Sequence, residues 1–151
     1  SVVGMETVDA AARSLGLAMR AAYASTPAQI DAAFADARRW RVAGINVLNS
    51  PFLSAHQARI IELAAAGRMP TMYQWPEAAR DGGLMGYGPS LAAMFRQLAG
   101  YASRILGGAP AAGLPIEQPT TFELVINLKT AKALGLTIPQ SLLLRADEVI
   151  Q

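Results

Sequence analysis

Apolar residues in the first part of the chain recur with two alternating periods. Spacings of three and four residues predict helices over Val3–Leu15, from Pro27 onward and over Phe52–Ala66. Leu17–Ala24 alternates apolar and polar positions and Ala43–Leu48 is a short apolar run, so each of these two segments is predicted to be a strand. Helices alternating with strands across short connections predict a parallel sheet with helices packed on its faces.

The central stretch Met69–Gly88 carries the chain's densest group of aromatic residues. Two short apolar runs, Pro70–Tyr73 and Leu84–Tyr87, each end in a tyrosine and are predicted to be strands. A short helix is predicted between them, from Trp75 to the Asp81-Gly82-Gly83 sequence, because glycine supplies the positive φ of a helix exit. Tyr73, Trp75 and Tyr87 are therefore expected at one edge of the sheet, either stacking on a flat small molecule or packing in the core.

The last third of the chain contains a connector between regular elements. Residues 109–119 hold three prolines and no periodicity, which predicts an extended connector. The elements predicted around it are a long amphipathic helix, Ser90–Leu106, a strand, Phe122–Ile126, a helix, Leu128–Leu134, and a last helix from Pro139 to Ile150.

Composition limits the classes of function. The 151 residues predict one α/β domain; 52% are hydrophobic, yet no run approaches the ~20 apolar residues of a membrane-spanning helix. The net charge is +2 and the only basic cluster is Arg38-Arg39 with Arg41, which argues against nucleic-acid binding. The chain has no cysteine, so disulfides and thiolate chemistry are excluded.

Motifs for catalysis or metal binding are not recognisable. His56, the one histidine, has no neighbouring Asp or Cys and is interpreted as a partly exposed helix residue, so no metal site is expected. Gly86-Tyr87-Gly88 lacks the third glycine and the helix of a dinucleotide fingerprint, and its glycines are expected to permit a tight bend. We therefore predict a protein that is not an enzyme and has no cofactor.

The pattern favours binding. Asn49, Ser50 and Pro51 follow a predicted parallel strand and begin a helix, which is where ligands bind in open α/β sheets. Free amides at such a helix start hold a carboxylate with help from the helix dipole, worth about 0.3–1 kcal/mol. The alternative, that Asn49 and Ser50 only cap the helix, stays open.

Three long strings resemble a known family: GGLMGYGPSL, LPIEQPTTFELVINLKTAKALGLTIPQSLLLRADEVI and VLNSPFLSAHQARIIELAAAGRMP. They are similar to the C-terminal portion of ABC transporter substrate-binding proteins of the tryptophan/tyrosine type. The resemblance implies a type I periplasmic-binding-protein fold, a three-layer, Rossmann-like α/β architecture with two lobes joined by crossing segments. It also implies that residues 1–75 belong to the second lobe, 84–106 return to the first lobe and 115–150 cross back, with the first lobe absent from this sequence.

The function implied by the resemblance is capture of a small amino-acid-like or aromatic carboxylate solute. The expected partners are that small molecule and an ABC permease in the membrane, and the expected location is periplasmic or lipid-anchored, although this chain shows no signal peptide. The expected ligand-binding residues are Asn49, Ser50, Pro51, Tyr73, Trp75 and Tyr87. Residues 84–106 are expected to pack against the same body or to exchange with a second copy in a homodimer. One alternative function is the ligand-sensing domain of a regulator with the same fold. Another is a Rossmann-like enzyme, which would need a nucleotide-binding fingerprint that this sequence does not contain.

Overall fold

The fold is built on one five-stranded sheet in a computed structural model that describes residues 2–151. The strands stand in chain order: β1 (Ile45–Val47), β2 (Thr71–Tyr73), β3 (Met85–Pro89), β4 (Phe122–Asn127) and β5 (Glu148–Ile150). The first three strands are parallel, β4 is antiparallel to β3, and β5 is parallel to β4. The predicted parallel sheet is thus confirmed for its first half, and the direction changes where the long connector returns the chain to the sheet.

Eight α-helices and one 3₁₀ turn surround the described sheet. They are α1 (Val2–Ser14), α2 (Pro27–Arg39), α3 (Pro51–Ala55), α4 (Gln57–Gly67), α5 (Glu77–Arg80), α6 (Leu91–Leu106), α7 (Leu128–Leu134) and α8 (Gln140–Leu143), with the 3₁₀ turn at Ala111–Gly113. Thr26 begins α2 as expected, because its side chain accepts a hydrogen bond from the Gln29 amide at 3.3 Å and Pro27 occupies the first helical position.

The core lies on one face of the sheet. Ile30 and Phe34 of α2 pack with Ile60 and Ala64 of α4 against Tyr73 of β2, and all five side chains are buried. On the opposite face the register places Tyr87 and Phe122, which are 52% and 47% exposed. The described part of the chain therefore covers one face of its sheet more completely than the other.

The predicted strand over Leu17–Ala24 is wrong, since residues 17–24 are irregular and Leu17 and Tyr23 are 59% and 79% exposed. Alternating polarity describes a segment that is able to pair, but a strand forms only when its backbone groups find a ladder partner. No described strand pairs with residues 17–24, and β1 is the edge strand of the sheet.

Two helix predictions needed correction. The helix expected over Phe52–Ala66 is two helices that meet at His56, whose backbone (φ −110°, ψ 18°) is not helical and whose half-buried ring contacts Phe52 with centroids 4.4 Å apart. The last helix ends at Leu143 instead of Ile150, because residues 148–150 pair with β4 as β5. Tertiary pairing overrides local propensity in such short apolar segments.

Helix α6 forms as its periodicity predicts, but several of its large apolar side chains are exposed. Phe95 and Leu98 are 66% and 62% exposed, and none of the helix's residues is buried. Residues 84–106 were expected to pack against the same body or to exchange with a second copy; β3 lies in the middle of the sheet, whereas α6 has no buried residue, and the exchange stays a prediction.

Arg80 ties α5 to the second half of the sheet. Its guanidinium contacts the carboxylates of Glu123 on β4 at 2.9 Å and Glu148 on β5 at 2.8 Å, as well as Glu77 within α5. The Ser90 side chain and then Arg80 hold the pKa of the Glu123 carboxyl below its usual range. The segment between β2 and α5 is consequently anchored at its far end.

Candidate ligand-binding site

The candidate site lies at the carboxyl ends of β1 and β2. Because these strands are parallel, the segments that follow them, Leu48–Pro51 and Gln74–Pro76, emerge at the same edge of the sheet. Helix α3 begins directly after the first of these segments. The sheet therefore brings together residues that are 25 positions apart in the chain.

Asn49 is the centre of a hydrogen-bonded cluster there. Its backbone N–H donates to Oε1 of Gln74 at 2.7 Å. Its side-chain Oδ1 accepts from Nε1 of Trp75 at 3.0 Å and from the Ser54 hydroxyl at 3.3 Å. These contacts connect both strand-end segments and fix the indole ring beside α3.

Ser50 and Pro51 shape the start of α3. The Ser50 hydroxyl accepts from the Leu53 amide at 3.1 Å and the Ser50 carbonyl accepts from the Ser54 amide at 2.9 Å, while Pro51 has no N–H to offer. Capping by Ser50 is therefore real, and it occupies most of the amides that the sequence led us to expect free for a carboxylate.

The cleft over this cluster is shallow. Its walls include Val47, Leu53, Gln57 and Ile60 together with the residues of the cluster, and it encloses about 20 Å³. That is room for about one water molecule. An amino acid bound here would need a second wall to cover it.

Tyr73 lies beneath the cleft instead of at its surface. Its side chain is 4% exposed, and the ring passes so close to Gly83 that an added Cβ there would lie 2.7 Å from Tyr73 Cε2. Burial raises the pKa of Tyr73 to about 12. The Thr71 side chain opposes this shift, but its hydroxyl donates to the Met69 carbonyl at 3.0 Å, and the Tyr73 hydroxyl has no hydrogen-bond partner among the described residues.

Replacing Tyr73 by Phe should raise the free energy of unfolding by about 1 kcal/mol at pH 7, since a buried hydroxyl without a partner is destabilising. The wild type should also lose stability from pH 10 to about 12, where the unfolded tyrosine ionises before the folded one, and Tyr73→Phe should lack this loss. Urea denaturation of both proteins at pH 7 and across the alkaline range measures both effects. A less stable variant at pH 7 would show that the hydroxyl has a partner such as a buried water.

Tyr87 is at the same rim but on the other face of the sheet. Tyr73 is in register with Gly86, so the next residue, Tyr87, projects from the opposite face, where its ring lies 5.9 Å from that of Phe122. The structure thus brings Asn49, Ser50 and Trp75 together, places Tyr73 under them, and leaves Tyr87 outside the cleft.

Gln74 was not anticipated from the sequence, although it bonds the Asn49 backbone. The available signal was its position immediately after β2, between the two aromatic residues that were selected. A polar residue directly after a parallel strand belongs to the same rim as Asn49.

Gly86 and Gly88 lie inside β3 and do not form the tight bend that we expected. The segment Gln74–Pro76 crosses directly over them. A Cβ added to Gly86 would lie 2.4 Å from the Trp75 carbonyl oxygen, and one added to Gly88 would lie 1.9 Å from the Gln74 carbonyl oxygen. These glycines let the backbone that carries Gln74 and Trp75 lie against the sheet.

Residues 2–151 offer little room or ligand chemistry outside this cleft. Within that range no group of three or more His, Asp or Glu residues is placed to hold a metal ion. A second cavity, between α4 and α7, encloses only about 10 Å³. No helix in the described part of the chain is both long and apolar enough to cross a membrane.

Solved structures share this fold. A conserved domain protein from Vibrio cholerae aligns with 98% of the chain at a TM-score of 0.85 and 24% identity. An ABC domain from Streptococcus pneumoniae in complex with L-Trp aligns with 98% of the chain at a TM-score of 0.85 and 23% identity. A ligand-free, open substrate-binding protein with adhesive properties from Clostridium difficile aligns with 99% of the chain at a TM-score of 0.67 and 15% identity.

The chain spans about half the length of each of these structures, since it covers 50% of each of their chains. No curated protein matches its sequence. The model of the ABC transporter substrate binding protein family matches residues 1–150, nearly the whole sequence. The α/β fold, the family model and the structural neighbours agree with the resemblance seen in the sequence, and the chain belongs to the family of ABC transporter substrate-binding proteins.

Proposed function

We propose that this chain is part of a solute-binding component of an ABC transporter, which captures a small amino-acid-like or aromatic carboxylate molecule and does not transform it. The observation that carries the proposal is the family match over residues 1–150. The cluster of Asn49, Gln74 and Trp75 supports it, because aromatic and amide groups converge where ligands bind in this class of sheet.

In this proposal each rim residue has a defined role. The Trp75 indole, fixed by its bond to Asn49, stacks on the apolar part of the solute, and Tyr73 supports the cleft from below. Asn49, Ser50 and Pro51 surround its polar end, and Tyr87 contacts it from the other face of the rim. The presence of L-Trp in the Streptococcus pneumoniae structure favours an amino acid with a flat ring.

A second lobe supplies the missing wall. The relatives are twice as long as this chain, and a cleft of about 20 Å³ is too small to enclose an amino acid. We propose that residues 1–75 and 115–150 form most of one lobe, that 84–106 reach into the other, and that the lobes close on the solute by a hinge motion. The loaded protein then delivers the solute to a permease at the outer face of the membrane, in the periplasm or tethered to the membrane by a lipid.

Helix α6 exposes apolar side chains that the other lobe would cover. Its exposed Phe95, Leu98 and Ile105 form an apolar stripe at helical spacing. When the 151-residue chain is prepared alone, a second copy should cover that stripe by exchanging the segment, so light scattering should give twice the monomer mass of 15.9 kDa. Phe95→Glu combined with Leu98→Glu should restore the monomer. A monomeric wild type would contradict the exchange.

The function is tested by a thermal-shift screen of the full-length protein. The panel contains L-tryptophan, L-tyrosine, L-phenylalanine and indole-3-acetate, with sugars and nucleosides as unrelated solutes. A ligand that binds only the native state stabilises it by RT ln(1 + [L]/Kd) and so raises the melting temperature more as its concentration exceeds Kd. We expect at least one of the four acids to stabilise the protein; stabilisation by a sugar or nucleoside alone would reject the proposed solute class.

A further inference from the structure

We propose that the cleft recognises its solute through the side-chain NH₂ groups of Asn49 and Gln74, and therefore selects ligands whose polar end accepts hydrogen bonds, above all a carboxylate. The inference rests on the proposed function and deepens it. It also adds Gln74, a residue that the sequence did not single out, as a determinant of specificity.

The orientation of the Asn49 amide follows from its partners. The atom that contacts Trp75 Nε1 at 3.0 Å must be an acceptor, because an indole N–H only donates. The Ser54 hydroxyl donates to the same oxygen at 3.3 Å. Oδ1 is therefore used twice inside the protein, and Nδ2 is the end of the amide left for a ligand.

The same reasoning orients Gln74. Its contact with the Asn49 backbone is 2.7 Å long, and a backbone N–H only donates, so the contacting atom is Oε1. Gln74 Nε2 is then the free end. The two segments are bonded to each other twice, since the Gln74 side chain binds the Asn49 backbone and the Asn49 side chain binds Trp75, the residue next to Gln74.

Both NH₂ groups are available in the cleft. Asn49 and Gln74 are exposed and line it, and neither amide nitrogen donates to an acceptor in the part of the chain that the structure describes. Together they offer up to four N–H donors. None of the residues that line the cleft is charged; the Asp81 carboxylate lies behind one of them and accepts from Gln57 Nε2 at 2.8 Å.

A carboxylate matches this arrangement better than an amine does. A carboxylate accepts several hydrogen bonds, and bonds to an ionised acceptor are shorter and stronger than neutral ones. An ammonium group would need acceptors, but Asn49 Oδ1 already accepts from Trp75 and Ser54, and Gln74 Oε1 accepts from the Asn49 backbone, so the two amides leave one lone pair for an ammonium against up to four N–H donors for a carboxylate.

Two substitutions isolate the donors. Asn49→Asp and Gln74→Glu keep the oxygens that accept the internal hydrogen bonds and replace only the NH₂ groups by an oxygen. The melting temperature of the ligand-free, full-length protein should therefore change little. The Kd for the best-binding acid of the panel, measured by calorimetry, should rise at least tenfold for each variant, because each loses a donor and gains a like charge.

Asn46→Asp is the matched control. This substitution adds the same charge three residues before Asn49, within β1, and the Asn46 side chain projects from the face of the sheet opposite to that of Val47, which lines the cleft. Its affinity should stay within about twofold of the wild type. An equal loss in Asn46→Asp would assign the effect to general charge and overturn the proposal.

A comparison of two ligands tests the inference independently of the variants. L-tryptophan is compared with tryptamine, which lacks only the carboxylate, and the full-length wild type should bind tryptamine at least a hundredfold more weakly, since the donors would be left unpaired. If an acid binds but its amine binds equally well, or if both variants retain wild-type affinity, this inference is wrong and the proposed function stands. If the wild type binds no acid of the panel, the proposed function fails and the inference fails with it.

Discussion

Gly88→Ala should lower the free energy of unfolding by about 3 kcal/mol, the largest effect on stability that we expect from adding a single methyl group to this chain. The new Cβ would lie 1.9 Å from the Gln74 carbonyl oxygen, a separation that requires the backbone to move. The strand is held by β2 and β4 on its two sides, so the segment Gln74–Pro76 has to lift away. That segment carries two members of the Asn49 cluster.

The measurement is urea denaturation combined with Trp75 fluorescence. The chain has two tryptophans, so a Trp40→Phe background makes Trp75 the sole reporter. Gly88→Ala should shift the Trp75 emission to longer wavelength as the indole loses its contact with Asn49. Gly100→Ala is the control: its Cβ meets nothing within 4 Å, and Ala in a helix should be neutral or stabilising by about 1 kcal/mol. A Gly88→Ala protein as stable as the wild type would contradict the close crossing.

Trp75→Ala should weaken solute binding by the full-length protein by about 1–3 kcal/mol, a loss of roughly fivefold to more than a hundredfold. The substitution removes the flat surface on which the solute is proposed to stack and also frees Asn49 Oδ1 from its indole partner. Trp75→Phe separates the two contributions, because it keeps an aromatic ring and loses only the Nε1 donor. Its affinity should lie between those of the wild type and Trp75→Ala.

Calorimetric titration with the best-binding acid measures these affinities. Trp40→Phe is the control, since Trp40 ends α2 and is covered by the Arg20 guanidinium at 4.7 Å, away from the cleft. Tyr87→Ala, in the same assay, tests the contact proposed from the other face and should also weaken binding. Unchanged affinity in Trp75→Ala would remove the indole from the site.

The sequence predicts the elements best where local chemistry and packing agree. Thr26-Pro27 locates the start of α2, and the glycine of the αL turn, Gly135, locates the end of α7. The strand predicted over residues 17–24 is wrong because an alternating pattern does not indicate whether a partner strand is available to pair with it. The split at His56 has no proline or glycine to signal it and arises where the ring contacts Phe52.

The candidate site was predicted as a set of positions at the sheet rim, without its internal geometry. Parallel strands place Asn49 and Trp75 at the same edge, which the pattern indicates. The face of the sheet on which a tyrosine lies depends on the strand register, and a one-residue shift in register reverses it. The sequence alone therefore could not predict that Tyr73 and Tyr87 lie on opposite faces. The role of Gln74 was hidden for a related reason: it depends on a contact with the backbone of a residue 25 positions away.

Helices α3 and α4, which are separated by the non-helical backbone of His56, should tolerate substitutions differently. Helix α4 is anchored in the core by Ile60 and Ala64, whereas α3 has no buried residue and carries Ser54 of the Asn49 cluster. Substitutions of the exposed Ser54 should therefore alter the proposed site at little cost in folding, whereas Phe52 and Leu53 of α3 pack against the core and, like the core residues of α4, are limited by packing. Ser54 is therefore the position of the proposed site where a change of side chain could most readily change the solute that is bound.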